Sequence, residues 1–96
     1  MSERVTVTTE RPALLRPLLG AAIQNEAKLV AHGIKRTRDR LALFEKRFGI
    51  SSEEFERRFD AGEIEETLDY IEWSMEIRAL RLLQEQHQVL SEARVD

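Results

Sequence analysis

The sequence predicts an all-α fold, an antiparallel helical hairpin of two long helices joined by a short one. Three observations carry that expectation. Apolar residues recur at spacings of four and three over most of the chain, in strict alternation from Ile23 to Phe48, which is the period of helices packed at a shallow angle. Four glycines and two prolines in 96 residues leave few places to break a helix. Two of those glycines, Gly49 and Gly62, bracket a short segment that turns one long pattern back towards the other. The expected helices span about 12–48, 51–61 and 63–93. Residues 1–11 form an extended arm or short strand, and residues 12–96 form one domain.

Arg4-Val5-Thr6-Val7-Thr8-Thr9 alternates and is β-branched, which is a strand signal. A lone strand needs a ladder partner for its backbone groups, so this stretch is a frayed tail, an arm that adds to the sheet of a partner, or a strand that pairs with its own copy across a dimer. Pro12 suits the first turn of a helix. Pro17 either kinks that helix or marks its true start. Leu14, Leu15, Leu18 and Leu19 make the region apolar enough to need a cover.

The first long helix carries the seam Ile23, Ala27, Val30, Ile34, Thr37, Leu41, Phe44 and Phe48. Gly49 ends it, because glycine reaches the left-handed conformation without a Cβ penalty. Ser51 reads as the next N-cap, with Glu54 placed to complete a capping box. Phe55 and Phe59 share one face of the short helix. Gly62 ends it, and Glu63, Glu65 and Glu66 suit the positive start of a third helix.

That third helix holds two apolar rows. One is Ile64, Leu68, Ile71, Met75, Ala79, Leu82, then Val89 or Leu90, and the other is Trp73, Ile77, Leu80 and Leu83. Its last turns, Gln84 to Gln88, are polar and are expected to fray or project. The first row is assigned to the hairpin seam, with Phe48 meeting Ile64, Leu41 meeting Ile71 and Val30 meeting Leu82. Trp73, Ile77 and Leu80 then lie on the open side with the Leu14–Leu19 cluster, where Trp73 is an interface anchor; core packing is the alternative role for that residue. A soluble monomer rarely leaves such a patch bare, so the hairpin is expected to be completed by a second chain, a homodimeric bundle being the plainest form. The interface residues of this reading are Val5, Val7, Leu14, Leu15, Leu18, Leu19, Ile23, Val30, Trp73, Ile77 and Leu80.

Charge is divided along the chain. Residues 1–48 carry ten Lys/Arg against five Asp/Glu, and residues 49–96 carry five against thirteen, for a net charge of −3. The halves are expected to pair, with Arg47, Arg40 and Arg36 near Glu65, Glu72 and Glu76. These pairs set register more than stability. The alternative is that one half recruits a charged partner.

Little catalytic chemistry is legible. The absence of cysteine removes disulfides and thiolate metal sites. Glu65, Asp69, Glu72 and Glu76 share a helical face, yet neither His32 nor His87 has a glutamate three residues before it, as a di-iron bundle requires. Two isolated histidines support no nucleophile and base set, and no glycine-rich phosphate loop is present. No cofactor or metal is expected. Lys35-Arg36-Thr37-Arg38-Asp39-Arg40 spreads around a helix, is interrupted by Asp39 and lacks an aromatic for base stacking. No apolar run approaches the ~20 residues of a membrane span, and the start lacks a signal-peptide core, so a cytoplasmic location is expected.

The passage Phe44-Glu45-Lys46-Arg47-Phe48-Gly49-Ile50-Ser51-Ser52-Glu53-Glu54-Phe55, followed by Ala61-Gly62-Glu63-Ile64 and Asp69-Tyr70-Ile71-Glu72-Trp73, resembles small prokaryotic helical proteins of the antitoxin type, encoded beside a small toxin. The resemblance covers under half of the chain, and Phe48 stands where tyrosine is commoner. It transfers no catalytic residues. It implies a protein-binding role, with a toxin-like partner that acts on RNA. A homo-oligomeric scaffold or adaptor without a toxin is the alternative reading. A DNA-binding autoregulator working through the basic first helix is another.

Overall fold

A computed structural model gives the fold and describes residues 3–96. Three helices follow in order: α1 (Pro12–Phe48), α2 (Ser52–Asp60) and α3 (Leu68–Glu92). The long helices α1 and α3 lie antiparallel, and α2 fills the corner between them. No strand forms among the described residues. The strand signal of Arg4 to Thr9 therefore resolves as an arm without a ladder partner. Met1 and Ser2, also assigned to the arm, lie outside the described residues.

α1 opens on Pro12, and Thr9 Oγ1 accepts a hydrogen bond from the Arg11 N–H just before it, at 3.1 Å. The helix then runs through Pro17. The carbonyl that Pro17 leaves without a donor is that of Ala13, which is exposed, so water can serve it. α1 ends where expected: Gly49 is left-handed at φ 74° and its N–H returns to the Glu45 carbonyl at 2.9 Å. Ser51 caps α2 by accepting from the Glu54 N–H at 3.1 Å. The capping box is only half built, because the Glu54 carboxylate turns instead to Arg57 and Arg58. α2 closes in a Schellman turn, with Glu63 N–H on the Arg58 carbonyl and Gly62 N–H on that of Phe59.

The third helix departs from expectation. It starts at Leu68 rather than 63, because Thr67 is its N-cap: Thr67 Oγ1 accepts from the Tyr70 N–H at 3.1 Å. Its polar end stays helical to Glu92, within a residue of the expected limit.

Every residue of the α1 seam, from Ile23 to Phe48, is buried or half-buried. Across from it Ile64 packs against the core as expected, but within α3 the two rows exchange roles. Trp73 and Ile77 are buried, with Leu80 packed beside them, whereas Leu68, Ile71, Met75 and Leu82 are exposed. The aromatic residues decide this. The Trp73 ring lies 4.0 Å from that of Phe55 at an interplanar angle of 3°, and 5.5 Å from Phe44. Phe48 and Tyr70 extend the stack. Such rings bury more area than any aliphatic residue of the competing row.

A polar link ties the same three helices. Trp73 Nε1 donates to Ser52 Oγ at 3.0 Å, and the Ser52 N–H donates to Glu45 Oε2 at 2.7 Å. On the other flank of α3, Arg81 pairs with Glu56 of α2.

Candidate binding surface

The swap of rows on α3 moves the candidate site. Trp73 and Ile77 are core residues and offer nothing to a partner. Ile23 is half-buried and Val30 is buried along the α1 seam that packs on α3. What remains outside is a heptad row on α3: Leu68, Met75, Leu82 and Val89, each seven residues from the next. Leu68 is 87% exposed and Met75 64%. These are values of side chains left in water, not of a helix face covered by its own fold.

α1 supplies a matching row. Leu29 and Leu43 are exposed and two heptads apart, with Arg36 midway. The rows share one broad side of the hairpin. A groove on that side is lined by Leu29, Gly33, Arg36 and Arg40 of α1 and by Glu76, Ala79 and Leu83 of α3. It adjoins a second groove that includes Leu82 and Val89, the two sharing Glu26, Val30 and Gln86. Gly33 sits close to the partner helix, since a Cβ there would stand 3.4 Å from Leu83. α2 packs against a different flank of α3, where Arg81 and Trp73 meet it, and leaves this side open.

The ion pairs across the open side are Arg40 with Glu76, at 2.9 Å, and Arg47 with Asp69, at 3.1 Å. The sequence register expected Arg40 with Glu72 and Arg47 with Glu65. The helices are therefore offset by four residues, one turn, from that register. Arg36, Glu65 and Glu72 make no ion pair among the described residues. The charged run Lys35 to Arg40 sends Arg36 and Arg40 into the groove, where Glu76 neutralises Arg40.

A second apolar surface lies at the end of the hairpin where the termini meet. Val5 is 94% exposed, and Val7 of the arm and Leu14 and Leu18 of the first turns of α1 are exposed as well. Leu15 and Leu19 are half-buried. They line a hollow between the arm and the last residues of the chain, with Val7, Pro12 and Val95. Arg16 Nε donates to the main-chain oxygen of Asp96 at 2.8 Å and ties that tail to α1.

No three His, Cys, Asp or Glu side chains converge to hold a metal among the described residues. No described helix is long and apolar enough to cross a membrane. Ser51, Ser52 and Thr67 all spend their hydroxyls on caps or on Trp73. Sequence reasoning missed the Leu68–Val89 row as a surface because it had been given to the core. The available signal was the single tryptophan, Trp73, in the competing row, with Phe44, Phe48 and Phe55 in the segments that fold against it. Comparison with protein-family models, curated proteins and solved structures finds no match for this chain.

Proposed function

We propose that the chain is a non-enzymatic protein-binding module, an antitoxin-like protein that holds and neutralises a small toxin. One observation carries the reading. Among the described residues only five hydrophobic side chains are buried, while twelve large ones are exposed. The exposed ones are ordered, not scattered. They form the heptad rows on α1 and α3, with Ile71 next to Leu68 and Met75 on the same helix, and a patch at the terminal end. Surfaces of that size and order are what protein partners cover.

The terminal end is the place for the toxin. Its arm offers free backbone groups and alternate Val5 and Val7 side chains, the means by which an extended segment adds to the edge of a sheet. The acidic second half favours a basic partner and speeds its capture. The resemblance of residues 44–73 to antitoxin-type proteins points the same way. Co-expression with the products of neighbouring genes tests the proposal. A small basic protein should co-purify with the full chain and should be lost when residues 3–11 are removed, with the helical circular-dichroism signal unchanged. Capture that survives loss of the arm moves the site elsewhere. No capture of any neighbouring product, with or without the arm, rejects the antitoxin reading.

A homo-oligomeric scaffold is the second reading. The paired heptad rows on the open side favour it, since they are of the kind that builds helical bundles.

A further inference from the structure

We infer that the open side of the hairpin is closed by a second copy of this chain, face to face, about a two-fold axis that runs along the long helices. α1 of each copy then lies across α3 of the other. The inference rests on the reading of the chain as a binding module and names the occupant of its larger surface.

Size permits it. Taken with the smaller transverse extent of 19 Å, a face 57 Å long still exceeds the ~800 Å² that each partner buries in a stable complex. A four-helix arrangement results, in which each long helix has antiparallel neighbours on two sides.

Charge selects the occupant and its orientation. α1 carries eight Lys/Arg against three Asp/Glu, and α3 carries two against five. A face-to-face two-fold can be set in two ways. An axis across the helices lays α1 on α1, basic on basic, and places Arg36, midway between Leu29 and Leu43, against its own copy. An axis along the helices lays basic α1 on acidic α3. Like charges brought together oppose association and unlike charges favour it.

The apolar rows fit the second arrangement. Arg40 stands opposite Glu76, and Arg47 opposite Asp69, so Leu43 is level with position 73 and Leu29 with position 87. An axis along the helices preserves level. Leu43 of one copy therefore falls beside Met75 of the second copy, and Leu29 beside Val89. Each leucine finds an apolar neighbour within a turn.

Cross-linking tests this directly, because the chain has no cysteine of its own. Chains carrying Leu43→Cys and chains carrying Met75→Cys are mixed and mildly oxidised. Both positions are exposed, and circular dichroism with Trp73 emission checks that each variant folds. The expected product is a mixed covalent dimer. A mixture of Leu29→Cys and Leu43→Cys chains should give little. Arg36→Glu should weaken association with wild-type chains by about tenfold, whereas the crossed arrangement would strengthen it.

Preferential cross-linking of the Leu29→Cys and Leu43→Cys mixture overturns the orientation. Light scattering that shows a monomer, or a face protected only after another protein is added, overturns the second copy as occupant. A monomer that still captures a partner through residues 3–11 would do so while leaving the binding reading intact.

Discussion

Removal of the Phe55 ring is the sharpest test of how the corner is held. Phe55 is fully buried, and its ring stacks on Trp73 at 4.0 Å, with Phe59 at 5.2 Å and Tyr70 at 5.6 Å. α2 has only nine residues, too short to be helical unaided. It stays because Phe55 anchors it. Phe55→Ala removes a fully buried ring and leaves a cavity against Trp73, at a cost of ~3–5 kcal/mol. A 96-residue chain has a total stability of about 5–14 kcal/mol at ordinary values per residue. The substitution therefore consumes a large share of it. Urea unfolding followed by Trp73 emission, at one fixed protein concentration, reads the loss as a lower midpoint. Trp73 is the only tryptophan, so the signal reports this site alone. Leu14→Ala, at an exposed position, serves as the control and should change stability by under ~0.5 kcal/mol. A loss below ~1 kcal/mol for Phe55→Ala would refute the argument that α2 is fastened through this ring.

Glu54 accepts hydrogen bonds from Arg57 and Arg58, which lower its pKa from 4.5 to about 2. A depressed carboxylate stabilises the fold above its unfolded value and loses that contribution as pH falls. Thermal unfolding should therefore be insensitive to this group above about pH 5 and weaken between 4.5 and 2, and Glu54→Gln should flatten that part of the profile. Gly20→Ala meets nothing within 4 Å inside α1 and should raise stability by up to ~1 kcal/mol. Gly49→Ala forces a side chain into φ 74° and should lower it by ~1–2 kcal/mol; the two melting temperatures should move in opposite directions. A double-mutant cycle on Arg40 and Glu76 should give a coupling of ~0–1 kcal/mol that shrinks with salt, since Arg40 is largely exposed.

Much of the architecture is written locally. The limits of α1, the left-handed Gly49, the Ser51 cap and the whole α1 seam follow from spacing and from residues that have one low-energy conformation at their positions. α3 is different, because periodicity fixes that a helix has a row and not which of two rows faces inward. Both rows of α3 recur at helical spacings of three and four. The choice depends on long-range packing: Phe55, eighteen residues before Trp73, stacks on it, and Ser52 takes its indole N–H. The register error has the same origin. With Thr67 as the cap, α3 begins five residues after position 63, and the paired positions slide by one turn. Glu63, Glu65 and Glu66 looked like a first helical turn by charge, yet they belong to the connection. The candidate surface was legible as an excess of apolar residues. Its membership was not, because it is the complement of a core that the aromatic stack defines.

The account depends on apolar rows that the chain does not cover by itself. Sedimentation equilibrium of the purified full chain over a wide concentration range measures that most directly. The account predicts an associating system whose mass approaches twice the 11.2 kDa of one chain, with association lost in Met75→Glu and Trp73 emission unchanged. A mass of one chain at every concentration, for wild type and variant alike, would contradict it.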